Sequence, residues 1–108
     1  MADALWILVA NASRARLFAT DERAERWDLR EEFQHLEHDR FARELAARLE
    51  RGVNDHAFER LVIAAPPAFL GRMRKHISPR VYQRLMLDLN ADYVNVPERE
   101  LPERIPLA

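Results

Sequence analysis

The first third of the chain alternates between apolar runs and polar breaks, which is the pattern of a β-sheet. Residues 4–10 are continuously apolar and predict a strand that is covered on both faces. Residues 11–13 interrupt this run and residues 14–20 then alternate, so we predict a two-stranded hairpin. Between Trp27 and Phe33, apolar and charged residues alternate and predict a third, half-exposed strand.

The spacing of apolar residues changes to that of a helix in the middle of the chain. From Phe41 to Leu49 they recur about every 3.6 residues, and Gly52 is expected to end this helix. Residues 61–65 then predict a second buried strand, because five apolar residues stand together before the pair Pro66-Pro67.

The remaining residues predict two more helices and a last strand. Residues 68–76 have a helical pattern, and Ser78-Pro79 supplies a cap and a first-turn proline for the next helix. An apolar stripe from Val81 to Leu89 continues that helix. Residues 92–96 are predicted to form a short final strand, after which Pro97 opens a charged tail.

The predicted order β-β-β-α-β-α-β joins a three-strand meander to two crossover units. Right-handed crossovers place the later strands parallel to the first, which predicts an α/β fold with a mixed sheet of about five strands in two or three layers. The 108 residues are enough for one domain, spanning residues 1–108. Ligands of such sheets bind beyond the carboxyl ends of the parallel strands, here the ends of the first and fourth strands.

Composition excludes several classes of protein. The chain has no cysteine, so disulfides, cysteine–zinc sites and thiol nucleophiles are excluded. No apolar run approaches the roughly 20 residues of a membrane helix, and no secretory signal precedes the first run. We therefore expect a cytoplasmic protein without a membrane span.

Charge is distributed unevenly although the net charge is only −1. Residues 21–59 carry twelve acids and seven arginines, whereas residues 60–87 carry six cations and no acid. This segregation predicts a basic face that recognises an anionic partner such as RNA. The alternative is a solvated helix surface whose cations pair with the acidic segment.

The candidate binding residues belong to the turn after the first strand and to the segment after the fourth. Asparagine, serine and backbone N–H groups in a turn, with arginine nearby, can hold an anion. The alternative is a turn in which Asn11 only satisfies its own backbone. The complete set is Asn11, Ser13, Arg14, Arg16, Pro66, Pro67, Gly71, Arg72, Arg74, Lys75 and His76.

The sequence contains no complete catalytic or metal-binding constellation. His35 and His38 superficially resemble metal ligands, but we interpret them as a polar helix start in which Asp39 favours the positive end of the helix dipole. Ser13 and His76 lack the motif that would make a catalytic triad credible. We therefore expect a protein that is not an enzyme, with no cofactor and no metal.

Several segments resemble the bacterial host attachment protein family. They are the Trp6-Ile7-Leu8-Val9-Ala10-Asn11-Ala12-Ser13 opening with Arg14-Ala15-Arg16-Leu17-Phe18 after it, residues 60–71, residues 74–79, and Asp92 with Pro97-Glu98. The resemblance implies a role in attachment to host cells. It also implies a fold similar to the middle domain of archaeal and eukaryotic translation termination factors, within the ribonuclease H-like group, and hence a translation- or ribosome-associated role.

Two activities suggested by that fold group lack their residues here. Ribonuclease H-like nucleases gather carboxylates around two metal ions, and the interior of the first strand has none. Termination factors release peptides through a Gly-Gly-Gln loop, whereas Gly52 and Gly71 are far apart. The chain also departs from the family in the short connection from Phe33 to Asp39. The family commonly has a lysine before its late aspartate, whereas this chain has Asn90-Ala91-Asp92.

These observations favour a non-catalytic binding or adaptor protein of the host attachment family. Its expected partner is anionic or RNA-bearing, such as the ribosome. The alternative is a homodimeric protein-interaction module with no nucleic-acid role, in which Trp27 and Phe33 are exposed on an edge strand and invite sheet extension.

Overall fold

A five-stranded mixed sheet organises the computed structural model, which describes residues 2–21, 23 and 26–107. The strands are β1 (Asp3–Ala10), β2 (Arg14–Thr20), β3 (Trp27–Gln34), β4 (Phe58–Ala65) and β5 (Leu85–Asn90). Their order is β3-β2-β1-β4-β5. The three strands β1 to β3 pair antiparallel, and β1, β4 and β5 are parallel. The predicted α/β fold with a mixed sheet is confirmed.

Three helices cover one face of this sheet. They are α1 (His38–Asn54), α2 (Pro67–Arg74) and α3 (Pro79–Tyr82). The crossovers from β3 to β4 and from β4 to β5 move along the sheet in the same direction, so right-handed connections place these helices on the same face. Within the described residues, no helix combines the length and apolar character needed to cross a membrane.

The C-terminal segment, residues 91–107, covers the opposite face and completes three layers. It contains a 3-10 turn at Glu98–Glu100 and the short helix α4 (Leu101–Arg104). Leu101 and Ile105 are buried against β1 and β4, in the core on the side away from α1. The expectation of a charged tail after Pro97 is therefore wrong, because this segment supplies the second apolar layer that the continuously apolar strands require.

The predicted third helix is shorter than expected, and the last strand lies earlier. α3 ends at Tyr82, and the apolar residues placed on its stripe form β5 instead. β4 is buried on both faces, so its backbone needs a second neighbouring strand to satisfy its hydrogen bonds. The predicted strand at residues 92–96 is wrong, because the Val94 amide donates to Asp92 Oδ1 at 3.3 Å within a turn.

α1 continues past the glycine that was expected to end it. The helix runs to Asn54, and His56, two residues later in the chain, adopts a left-handed backbone with φ of 53°. Gly52 lies in close contact with two aromatic rings of the sheet: a Cβ atom there would come within 2.7 Å of the Trp6 ring and 2.8 Å of the Phe58 ring. This glycine therefore serves packing rather than termination.

The two aromatic residues of the edge strand β3 are not exposed, although the homodimer alternative requires that they are. Trp27 is only 8% exposed and belongs to the core beneath the C-terminal segment. Phe33 is half-buried and packs against the opposite core, below the helices. A register shift leaves Arg30 as an extra residue, which moves the two aromatic side chains to opposite faces.

Candidate anion-binding surface

The carboxyl ends of β1 and β4 lie side by side, as predicted. The two strands pair in parallel from Asp3 and Phe58 up to Val9 and Ala64. The turn after β1 and the prolines after β4 therefore begin at the same edge of the sheet. Pro66 is half-buried, and its carbonyl accepts the Leu70 amide at 2.9 Å in the first turn of α2.

Hydrogen bonds within the turn after β1 occupy the Asn11 amide oxygen. Asn11 Oδ1 accepts the amides of Ser13 and Arg14 at 2.9 Å each. The Ser13 carbonyl accepts the His35 amide at 3.0 Å, which ties the turn to the end of β3. Ser13 itself is exposed. This geometry matches the alternative in which Asn11 satisfies its own backbone.

The two arginines of β2 hold the C-terminal segment. Arg16 Nη2 donates to the carbonyl of Val96 at 2.5 Å and of Tyr93 at 3.3 Å, while its buried Nε has no partner among the described residues. Burial lowers the pKa of the Arg16 guanidinium. Arg14 is exposed and donates to Asn95 Oδ1 at 3.1 Å. Both side chains thus have structural contacts of their own.

The candidate cations after β4 lie on the other face of the sheet from Arg16. Phe69, Leu70 and Met73 of α2 pack into the core beneath the helices, whereas Arg16 lies over Phe18 in the opposite core. The structure therefore brings the two backbone segments to one edge but directs their arginines to opposite faces.

Intramolecular contacts occupy several of the six cations between residues 60 and 87. Arg74 pairs with Asp88 at 2.5 Å, and Arg80 pairs with Glu50 at 3.8 Å. Arg84 donates to the Glu59 carbonyl at 3.3 Å. Two contacts fit the predicted pairing with the acidic segment, residues 21–59: Arg80 with Glu50, and His76 Nε2 with Asp39 Oδ1 at 3.7 Å. Asp88 lies outside that segment.

Two of the candidate cations extend into solvent from α2. The side chains of Arg72 and Lys75 are exposed, and within the described ranges neither side chain makes a hydrogen bond or ion pair. They are three positions apart, the spacing that places residues on one side of a helix. Gly71 beside them leaves open space, since no atom lies within 4 Å of where its Cβ would be. Arg74 lies two positions from Arg72, on another side of the helix, and is paired with Asp88, so we call Arg72 and Lys75 alone the α2 basic surface.

One aromatic residue that was expected to pack in the core is instead exposed. Tyr82 is 38% exposed at the end of α3. The hydrogen bond to Asp88 is the main reason why the pKa of Arg74 is raised, and Tyr82 acts in the same direction. Sequence alone placed Tyr82 beside a long helical stripe, so only the early end of α3 reveals its exposure.

The connection containing His35 and His38 forms the start of α1. His35 Nδ1 accepts the Glu37 amide at 3.0 Å, and the Glu37 carboxylate caps the helix by accepting the amides of Asp39 and Arg40. Asp39 lies in the first turn, as predicted. Across the described part of the chain, no group of three or more histidine or acidic residues is arranged to hold a metal ion.

Two cavities lie at the amino-terminal edge of the sheet, away from the α2 basic surface. Their volumes are about 300 and 310 Å³, and both are lined by Ala4, Asp21 and Glu59. One also contacts Arg60, and the other Asp3, whose carboxylate is held by Arg30 at 2.9 Å. None of the binding residues predicted from the sequence lines these two cavities.

Comparison with known proteins adds a family and a fold. A family model described as "Protein required for attachment to host cells" matches residues 26–105. No curated protein sequence matches the chain.

The similar solved structures are larger proteins. The archaeal translation termination factor aRF1 is 12% identical with a TM-score of 0.60, over 83% of this chain and 32% of that one. Dom34 of S. cerevisiae, titled a translation termination-like factor involved in RNA quality control pathways and interacting with Hbs1, is 8% identical with a TM-score of 0.56, over 93% and 33%. A structure titled "Archaeal protein" is 11% identical with a TM-score of 0.60, over 82% and 30%. This chain spans about a third of their length, and the shared feature is the fold expected for a termination-factor middle domain.

Proposed function

This chain belongs to the family of proteins required for attachment to host cells, and from that premise we propose that it is a non-catalytic binding module for an RNA-bearing partner such as the ribosome. The α2 basic surface makes the contact. Exposed, unpaired cations attract phosphate groups because binding releases the counterions that surround a nucleic acid. Asn11 and Arg16 stabilise the fold in this proposal rather than contacting the partner.

The exposure of Arg72 and Lys75 carries the proposal. Both lack an acidic partner within the described residues, whereas Arg74 and Arg80 form ion pairs with Asp88 and Glu50. The Arg72 guanidinium and the Lys75 ammonium lie on one side of α2, so they can contact two phosphates without breaking an intramolecular ion pair. The open space beside Gly71 lets a bulky polyanion approach the helix closely.

The fold supports the choice of an RNA-bearing partner. Two of the similar structures are titled as translation termination or termination-like factors. We propose that this chain shares with them an association with the translation apparatus, in the cytoplasm. Peptide release is not part of the proposal, because Gly52 lies inside α1 and Gly71 inside α2, with no Gly-Gly-Gln loop in the sequence.

Ribosome co-sedimentation tests this function. The full chain, an Arg72→Ala/Lys75→Ala variant and an Arg51→Ala/Arg104→Ala control are compared between about 50 and 200 mM salt. The control also removes two exposed arginines, from the end of α1 and from α4. It therefore changes net charge equally without touching α2.

We expect the wild type and the control to bind alike, with binding that weakens as salt rises. The Arg72→Ala/Lys75→Ala variant should bind less and show a salt slope smaller by about 2, one for each lost phosphate contact. An equal loss of ribosome binding in both variants would mean that net charge determines binding and the position of Arg72 and Lys75 does not. No wild-type binding at the lowest salt would refute the ribosome proposal.

A further inference from the structure

One cavity at the amino-terminal edge of the sheet is lined by apolar residues together with charges of both signs. Its volume of about 300 Å³ is at the lower end of the range in which proteins bind small molecules. The apolar lining residues are Ala4, Leu5, Met86 and Leu107, and the charged ones are Asp21, Glu59 and Arg60. Such a lining suits a small ligand that is itself partly apolar and partly charged.

The strand register brings these residues together from four strands and the C-terminal segment. Leu5 of β1 pairs with Arg60 of β4, and Asp21 directly follows the residue of β2 that pairs with Leu5. Arg60 Nη1 lies 3.9 Å from Met86 Sδ of β5, and Leu107 belongs to the C-terminal segment. No pattern along the sequence indicates this cavity, because its lining residues are far apart in the chain.

The charges that line this cavity do not pair with one another. Among the described residues, the Arg60 guanidinium contacts only the weak acceptor Met86 Sδ and forms no ion pair. The Glu59 carboxylate has no partner in the same part of the chain, and Asp21 Oδ1 accepts only the Arg23 amide at 3.1 Å. A cation and two carboxylates therefore border one space, and each can take a ligand group of opposite charge.

The neighbouring cavity of about 310 Å³ differs in this respect. The Asp3 carboxylate there accepts from Trp6 Nε1 at 3.0 Å and from Arg30 Nη2 at 2.9 Å. A ligand would have to displace these contacts to reach either charge. Of the two cavities, the first is the one that offers an unpaired cation together with unpaired carboxylates.

Hydrogen bonds fix the backbone that carries the two carboxylates. Thr20 Oγ1 donates to the Asp21 carbonyl at 2.8 Å, where β2 ends. Arg84 Nη1 donates to the Glu59 carbonyl at 3.3 Å, and the Arg84 carbonyl in turn accepts the Leu61 amide at 2.8 Å. The backbone positions of Asp21 and Glu59 are thus set before any ligand arrives, which reduces the entropy lost on binding.

We propose that this cavity binds a free amino acid with an aliphatic side chain. The ligand carboxylate pairs with Arg60, because a guanidinium can donate two parallel hydrogen bonds to a carboxylate. The ligand ammonium pairs with Glu59 and Asp21, and the aliphatic side chain lies against Leu5 and Met86. A ligand with a single charge would use only one sign of the lining, so the cavity selects a zwitterion. This site is separate from the α2 basic surface and does not depend on the proposed function.

NMR titration of the isotope-labelled full chain with three ligands of related shape tests this site. L-leucine carries both charges, 4-methylpentanoate lacks the ammonium, and 3-methylbutylamine lacks the carboxylate. Shifts of the backbone amides of residues 4, 5, 59, 60, 86 and 107 locate the ligand and give its dissociation constant.

The same titrations are repeated with Arg60→Gln and with Asp21→Asn/Glu59→Gln. Glu103→Gln and Arg104→Gln are matched controls, because these neighbours in α4 are also an exposed acid and an exposed arginine and line neither cavity.

We expect L-leucine to shift these amides saturably and each single-charge analogue to bind at least about 10-fold more weakly, the scale of a lost charge-assisted hydrogen bond. Arg60→Gln should weaken L-leucine to the same extent without weakening the amine. Asp21→Asn/Glu59→Gln should weaken L-leucine without weakening 4-methylpentanoate, and both controls should stay within twofold of the wild type.

The comparison of the three ligands on the wild type needs no variant, so it holds even if a substitution disturbs folding. No saturable shift with L-leucine, an analogue that binds as tightly as L-leucine, or equal effects of the cavity and control variants would each overturn the inference.

Discussion

The two glycines of the chain both lie within helices, but in opposite surroundings. A Cβ at Gly52 would come within 2.7 Å of Trp6 and 2.8 Å of Phe58, whereas one at Gly71 would meet no atom within 4 Å. Overpacking a core costs about 1–3 kcal/mol, and replacing glycine by alanine in a helix returns about 1 kcal/mol. We expect Gly52→Ala to lower the free energy of unfolding by up to about 2 kcal/mol.

Gly71→Ala is the matched control in urea denaturation. At this open position only the helix propensity remains, so the free energy of unfolding should rise by about 0.5–1 kcal/mol. Stabilisation in both variants would show that Trp6 and Phe58 move aside without cost and that Gly52 is not required for packing.

Individual residues show where prediction from sequence succeeds and where it ends. Turn propensity singled out Asn11 correctly, because its side chain closes the turn after β1. The same propensity cannot tell whether the amide oxygen is free for a ligand. Glycine often ends a helix, so Gly52 was a reasonable prediction for the end of α1. Its contact with Trp6 could not be predicted, because the two residues are 46 positions apart and only the fold brings them together.

The C-terminal segment depends on one half-buried arginine of β2. Arg16→Ala leaves the Val96 carbonyl without its donor and the Tyr93 carbonyl with only the Val96 amide at 3.1 Å, and an unsatisfied buried group costs about 1–3 kcal/mol. Amide hydrogen exchange should accelerate in residues 94–105 before it does so in α1. Arg14→Ala, which removes one exposed contact to Asn95, should stay within about 0.5 kcal/mol of the wild type. Equal effects of the two variants would contradict the role assigned to Arg16.

Elements with one clear hydrophobic period were predictable, and those with two were not. β1, β4 and α1 each have a single pattern. The residues from Val81 to Leu89 fit a helix through Val81, Leu85 and Leu89, but they also fit a strand through Leu85, Leu87 and Leu89. The strand forms because β4 needs a neighbour, a requirement of the whole sheet that no local pattern contains.

Folding also redistributes the charge that appears segregated along the chain. The acid-free segment suggested one basic face. In the fold, however, Arg80 pairs with Glu50 of the acidic segment, and Arg74 pairs with Asp88, which directly follows the acid-free segment in the chain. Pairing thus removes part of the linear pattern and leaves the α2 basic surface. The location of this surface after β4 was predictable, whereas the exposure of Arg72 and Lys75 required the fold.

At the scale of the whole molecule, both edges of the sheet are built against pairing with another copy. A register shift leaves Arg30 unmatched in β3 and Met86 unmatched in β5, and such shifts twist an edge away from a straight partner strand. β3 also carries Asp28, Glu31 and Glu32, while Trp27 turns inward. We therefore expect sedimentation equilibrium to give the monomer mass of 12.7 kDa, and we expect this apparent mass not to change with protein concentration. A dimer that Leu29→Lys dissociates would instead restore sheet extension through β3, since that substitution adds charge to the edge without altering either core.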